Sequence, residues 1–123
     1  MATKHTVDTF ADSIRLDIHD LVRELNANVG ATVVAAMTGA GSRTLPYKWA
    51  KGVAPQQRFV DRLRLGYRVW RVVQDEEGPN IALAWLTGAN PHLGETTPVS
   101  AIRELRTQEV VGAAEAFSAS NAA

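Results

Sequence analysis

Residues 31–50 read ATVVAAMTGAGSRTLPYKWA, and this stretch decides the fold. The apolar and small run Ala31–Thr38 predicts a short helix that stops at Gly39 and Gly41. A second short helix, capped by Ser42 or Thr44, follows to Lys51 and ends at Gly52. Two short helices joined across a glycine turn, the second carrying basic and polar residues, are what a helix-turn-helix requires. Gly39 falls at the turn, where positive φ is needed. Leu45 and Trp49 lie four apart, share a face and point inward. That leaves Arg43, Thr44, Tyr47, Lys48 and Lys51 outward, with Ser42 at their start, a set suited to base edges and phosphates. Proline cannot donate inside a helix, so Pro46 makes the second helix begin at Thr44 or Leu45 and keeps it short.

On the N-terminal side, Phe10, Ile14, Ile18, Leu21, Val22, Leu25 and Val29 step by three or four residues. They predict one helix from Asp8 to Asn28 with Gly30 as its C-terminal cap. His19 lies beside this stripe without a second ligand at helical spacing and reads as a surface or boundary residue. On the C-terminal side, Pro55 is placed to open a long helix to Gln74. Its core face is Phe59, Leu63, Tyr67, Trp70 and Val73, flanked by arginines, of which Arg58 and Arg62 are candidates for phosphate contacts.

The acidic turn sequence Asp75-Glu76-Glu77-Gly78-Pro79 marks a boundary, dividing the chain into 1–75 and 79–123. Past it, Asn80 is expected to cap a helix to Leu86, and Gly88-Ala89-Asn90-Pro91 forms a loop. Thr97-Pro98 opens a helix with Ile102 and Leu105 inward. Thr107 caps a last helix whose apolar side is Val110, Val111, Ala114 and Phe117, and Ser118–Ala123 frays. There is no β pattern and no internal repeat. The expected fold class is all-α.

The chain has 123 residues, 46% of them hydrophobic, no cysteine and a net charge of zero. The missing cysteines exclude disulfide scaffolds, cysteine-ligated zinc and thiol catalysis. No apolar run is long enough to span a membrane, and Met1–Thr6 leads into no signal-like segment, so a cytoplasmic protein is expected. Charge is distributed unevenly: −2 over Met1–Ser42, +7 over Arg43–Arg71 and −5 over Val72–Ala123. Such asymmetry fits a nucleic-acid surface in the middle and a different partner at the C-terminal end, or else solvated faces whose charges pair with one another. His5, His19 and His92 are scattered, and no glycine-rich phosphate loop follows a strand. No catalytic residue, metal or cofactor is therefore expected, and the chain reads as a binding protein, not an enzyme.

Around the central stretch, Ser42-Arg43-Thr44-Leu45, Trp49, Gly52 and Pro55 resemble the Xre-type pattern, in which an aromatic anchors the recognition helix. Further on, Trp85-Leu86, Asn90-Pro91, Leu93-Gly94, Thr97-Pro98, Leu105 and Val110-Val111 resemble the small toxin-binding domain of the Xre/MbcA/ParS antitoxins. Together the two cover most of the chain in that family's order. The glycine usual near the end of the last helix is replaced by Ser118-Ala119-Ser120. The resemblance implies an antitoxin of a type II toxin–antitoxin system: an Xre-like helix-turn-helix bundle that binds a double-stranded DNA operator and represses its own operon, followed by a helical lobe that holds a protein toxin. In that family the toxin is often a RES-domain protein that consumes NAD. Arg103, Arg106, Phe117 and Ser118 are then the expected partner-surface residues, unless Arg103 and Arg106 merely pair with Glu104 and Glu109. The alternative is a stand-alone repressor whose C-terminal lobe only self-associates. Either way a homodimer is expected, since small helical repressors commonly bind two-fold sites as two-fold dimers.

Overall fold

A computed structural model of the chain describes residues 9–11, 13 and 16–122. Among the described residues every regular element is helical: α1 (Ile18–Val29), α2 (Ala31–Thr38), α3 (Thr44–Ala50), α4 (Gln57–Glu77), α5 (Pro79–Thr87), a 3₁₀ turn (Pro91–Leu93), α6 (Pro98–Arg103) and α7 (Thr107–Ala122). The all-α expectation holds. No helix of the described residues is long and apolar enough to cross a membrane.

The expected first helix is interrupted: residues 9–11 and 13 are helical, residues 16 and 17 are not, and α1 starts afresh at Ile18. Asp17 adopts φ −56°, ψ 135°, and its carboxylate accepts from the backbone N–H groups of His19 (2.9 Å) and Asp20 (3.3 Å). A carboxylate that satisfies these orphan donors begins a new helix, and hydrophobic spacing runs straight through such a break unmarked. Ile14 and Asp8 lie outside the described residues. Phe10 is 44% exposed, with the Arg68 guanidinium 4.5 Å from its ring centroid, so it does not join the core stripe.

Two corners are turned by single glycines. Gly30 (φ +89°) ends α1 and opens α2, and Gly78 (φ +88°) does the same between α4 and α5. A side chain with Cβ disfavours that backbone region, so helices can abut there without a loop only through glycine. The acidic stretch expected as a linker is therefore mostly helix. Asp75, Glu76 and Glu77 form the last turn of α4, and Arg71, four residues back, ion-pairs with Asp75 at 3.0 Å. That cation offsets placing carboxylates at a helix C-terminus. The other end of α4 also shifts. Gln56 is extended (ψ 155°) and its carbonyl accepts from Phe59 (2.9 Å), so the helix begins after it and Pro55 lies outside.

All five expected core residues of α4 are buried, but so are Leu65, Gly66, Val69 and Val72. The helix packs on α1 and α2 as well as on α5, α6 and α7. Its buried side chains join one hydrophobic cluster that runs from Leu21 to Ala114, continuous across residues 75–79. Gly66 is the joint. A Cβ there would run into Met37 Sδ of α2 and come within 3.7 Å of Ile102 Cγ2 of α6, so α2, α4 and α6 meet only because residue 66 has no side chain.

The C-terminal elements correct four expectations. Asn80 is the second residue of α5, behind Pro79, and does not cap it. Leu105 is 38% exposed with φ +55°, because the chain after α6 closes with Arg106 N–H on Ala101 C=O at 2.9 Å and Leu105 takes the left-handed position. That geometry turns the leucine outward, whatever its hydrophobicity. Thr107 is the first residue of α7, and its hydroxyl donates to the Leu105 carbonyl (3.4 Å) where an accepting cap was expected. The segment after Phe117 does not fray: α7 continues to Ala122, and buried Ser118 donates to the Val72 carbonyl at 3.3 Å. Asn90 and Thr97 do act as punctuation. Asn90 Oδ1 accepts from His92 N–H at 2.9 Å, and Thr97 Oγ1 accepts from Ser100 N–H at 3.1 Å.

Candidate nucleic-acid interface

A seven-residue helix cannot sustain itself in water, so α3 must be held from outside. Its inward side is Trp49 and Pro46, both buried, with Leu45 half-buried. Trp49 meets Phe59 of α4 with ring centroids 5.1 Å apart. Pro46 falls in the first turn, where a backbone N–H has no intrahelical partner to lose, so it neither kinks nor breaks the helix. The cap position is Arg43, which makes no side-chain cap, so neither Ser42 nor Thr44 caps α3 as expected. Ser42, one residue earlier, accepts from Thr44 N–H at 3.0 Å, and its Oγ lies 3.0 Å from Thr44 Oγ1.

The carbonyl groups of α3 are claimed by one flank of α1. Asn26 Nδ2 donates to Pro46 C=O (3.1 Å), His19 Nδ1 lies 2.8 Å from Trp49 C=O, and Arg23 Nη1 donates to Ala50 C=O (2.6 Å). A carbonyl oxygen only accepts, so His19 carries its proton on Nδ1. The spacing of these three residues along α1 is the available signal.

What remains outward on α3 and its flanks is the expected set. Ser42, Arg43, Thr44, Tyr47, Lys48 and Lys51 are all exposed, Tyr47 at 52%. Arg58 is exposed beside them, its guanidinium 4.5 Å from the centroid of the Phe59 ring that packs on Trp49. Among the described residues, Arg43, Lys48, Lys51 and Arg58 have no carboxylate partner. Arg62 differs. Its Nε donates to the Arg103 carbonyl at 2.6 Å and its Nη1 to the Arg58 carbonyl at 2.7 Å, so it ties α4 to the end of α6.

The four residues expected on a partner surface have different surroundings. Arg106 pairs with Glu109 and, at 4.0 Å, with Glu104, and its hydrogen bond holds the Glu109 carboxyl below the usual carboxylate range. Phe117 is half-buried against Trp85, with centroids 6.1 Å apart, and Ser118 faces α4. Arg103 is exposed, but it sits against the turn between α2 and α3.

A second polar chain ties α1 to α4. Arg71 Nη1 donates to Tyr67 Oη (2.8 Å), which donates to Glu24 Oε2 (3.0 Å). Burial is the main cause that pushes the Tyr67 phenol up to about 12. A groove of about 250 Å³, lined in part by Phe10, Arg64, Leu65, Arg68 and Leu105, contains no histidine. Among the described residues no group of three or more histidines and carboxylates could hold a metal ion. No family model, curated protein or solved structure matches the chain.

Proposed function

We propose that this chain is a DNA-binding antitoxin. In this reading α2, the turn 39–43 and α3 act as a helix-turn-helix on the operator of its own operon, in a homodimer that sets one α3 in each of two successive major-groove half-sites. The observation that carries the DNA reading is the division of labour on α3. Trp49, Pro46 and the backbone carbonyls face the protein, while Arg43, Thr44, Tyr47, Lys48 and Lys51 face solvent with no carboxylate to neutralise the cations. Arg43 and Lys48 suit base edges, and Lys51 and Arg58 suit phosphates. The toxin-binding role of the C-terminal part, and a RES-type, NAD-consuming toxin as its partner, rest on the resemblance carried by Trp85, Asn90-Pro91 and Thr97-Pro98.

The DNA reading is tested by a salt titration of binding to the upstream region of the chain's own gene. Arg43→Ala should relax sequence choice by about 1–3 kcal/mol if Arg43 pairs bidentately with guanine. Equal binding by wild type and an Arg43→Ala/Lys48→Ala double variant would refute it. The toxin reading is tested by co-expressing the intact chain with the product of the neighbouring gene. Growth arrest and NAD loss caused by that product alone, and relieved by the chain, is the expected outcome. DNA binding without relief or co-purification would leave a stand-alone repressor.

A further inference from the structure

The C-terminal section from Val72 carries only two basic residues, Arg103 and Arg106, among seven acidic ones. Their surroundings differ. Arg106 is engaged by Glu109 and Glu104 and also donates to Thr96 Oγ1 at 3.2 Å. Arg103 has no carboxylate partner among the described residues, and its guanidinium reaches only Ser100 Oγ, at 3.5 Å. A cation left unpaired in an acidic section has some other counter-charge to meet, or none.

Three features fix where that cation stands. Ala101 and Ile102 of α6 are fully buried, and α6 packs on α2 and α4 around Gly66. Arg62 of α4 donates to the Arg103 carbonyl at 2.6 Å, which pins the end of α6. The aliphatic stem of Arg103 then lies over Gly39, its Cγ and Cδ being 3.6 and 3.7 Å from where a Cβ would stand. Gly39 is the left-handed residue that ends α2 and begins the turn into α3. The stem is therefore braced against the turn while the guanidinium remains exposed.

We infer that Arg103 belongs to the DNA interface and grips a backbone phosphate beside the groove that α3 enters. This inference rests on the DNA-binding reading above. A guanidinium fork matches phosphate oxygens bidentately, and a braced stem lowers the entropy lost on contact. The contact comes from a segment about fifty residues beyond α3 in the chain. It makes the joint of α2, α4 and α6 part of the binding surface, and it carries no sequence information.

The experiment is a salt titration of the full-length chain on two duplexes, its own upstream region and an unrelated sequence. One phosphate contact contributes a slope of about 0.9 in log K against log salt, which corresponds to roughly eightfold in affinity at 0.1 M salt. Arg103→Ala should lower the slope by about one and weaken both duplexes by the same factor. Arg103→Lys should retain the slope, and Arg106→Ala should leave both quantities unchanged. Thermal melts of each variant exclude loss of fold as the cause. Wild-type slope and affinity in Arg103→Ala would overturn the inference and leave the DNA reading standing, and so would a loss confined to one duplex. Salt-independent binding, or no binding, by the wild-type chain would overturn the DNA reading itself.

Discussion

Replacing Gly66 by alanine sets two opposed terms against each other in the middle of α4. Alanine in a helix interior is favoured over glycine by about 1 kcal/mol. The added methyl, however, would run into Met37 Sδ, and Met37 is fully buried in the core cluster. Its thioether can swing aside only into occupied space, and overpacking of this kind costs about 1–3 kcal/mol. Ile102 Cγ2, at 3.7 Å from the new atom, is in ordinary contact and adds nothing to the loss. Gly66→Ala should therefore destabilise by about 1 kcal/mol net, a fall of roughly 4 °C in melting temperature for a chain of this size. A double-mutant cycle with Met37→Ala isolates the clash. Met37→Ala alone should cost about 2–5 kcal/mol, and the alanine at 66 should recover part of that by filling the vacated space. A Gly66→Ala chain that gains stability, or a cycle that is additive, would show that nothing presses on residue 66.

Trp49→Ala removes the anchor of α3 against Phe59 and should cost about 3–5 kcal/mol, measured by urea unfolding. A melt coincident with wild type would mean that the indole contributes no core packing. Tyr67 predicts an alkaline loss: the unfolded phenol ionises near 10, while the buried one stays protonated to about 12. The unfolded chain thus gives up this proton first, so the stabilisation is complete below pH 10 and is lost as pH rises through 12. Tyr67→Phe should lower stability at neutral pH and remove this part of the alkaline loss, read as the difference between the two chains' urea midpoints. An unchanged alkaline slope would exclude the phenol as its source.

The sequence was most legible where a single residue has one geometric role. Gly30 and Gly39, the Thr97-Pro98 start and the core face Phe59, Leu63, Tyr67, Trp70 and Val73 all stand as expected. It was least legible where polar groups override hydrophobic spacing. Asp17 splits a continuous apolar stripe by capping, and Asp75 stays helical because Arg71 stands one turn back. The arginines at 62, 64, 68 and 71 hid the second buried side of α4. Their long side chains reach out to main-chain oxygens and rings, as Arg64 does to the carbonyls of Ser13 (2.8 Å) and Leu16 (3.0 Å), while the residues between them pack inward. At the candidate site the outward set on α3 could be read from the spacing of Leu45 and Trp49. The placing of Arg62 and Arg103 could not, since it depends on the meeting of α4 and α6, which are far apart in sequence.

The manner in which α3 is held bears directly on what its outer face is free to do. A short helix with proline in its first turn has few internal hydrogen bonds, so the orientation of its axis must come from neighbours. Trp49 and Pro46 fix its depth, and Asn26, His19 and Arg23 fix its rotation by bonding carbonyls at both its start and its end. None of these five groups is an outward side chain of α3. Arg43, Thr44, Tyr47, Lys48 and Lys51 consequently carry little of the fold's stability, and substitution among them should change the chemistry of the surface without changing where it points. Backbone-directed restraint is indifferent to side-chain identity, so α1 can present many different α3 faces in one geometry. For a helix that reads base edges, that separation lets specificity vary while the docking angle stays constant.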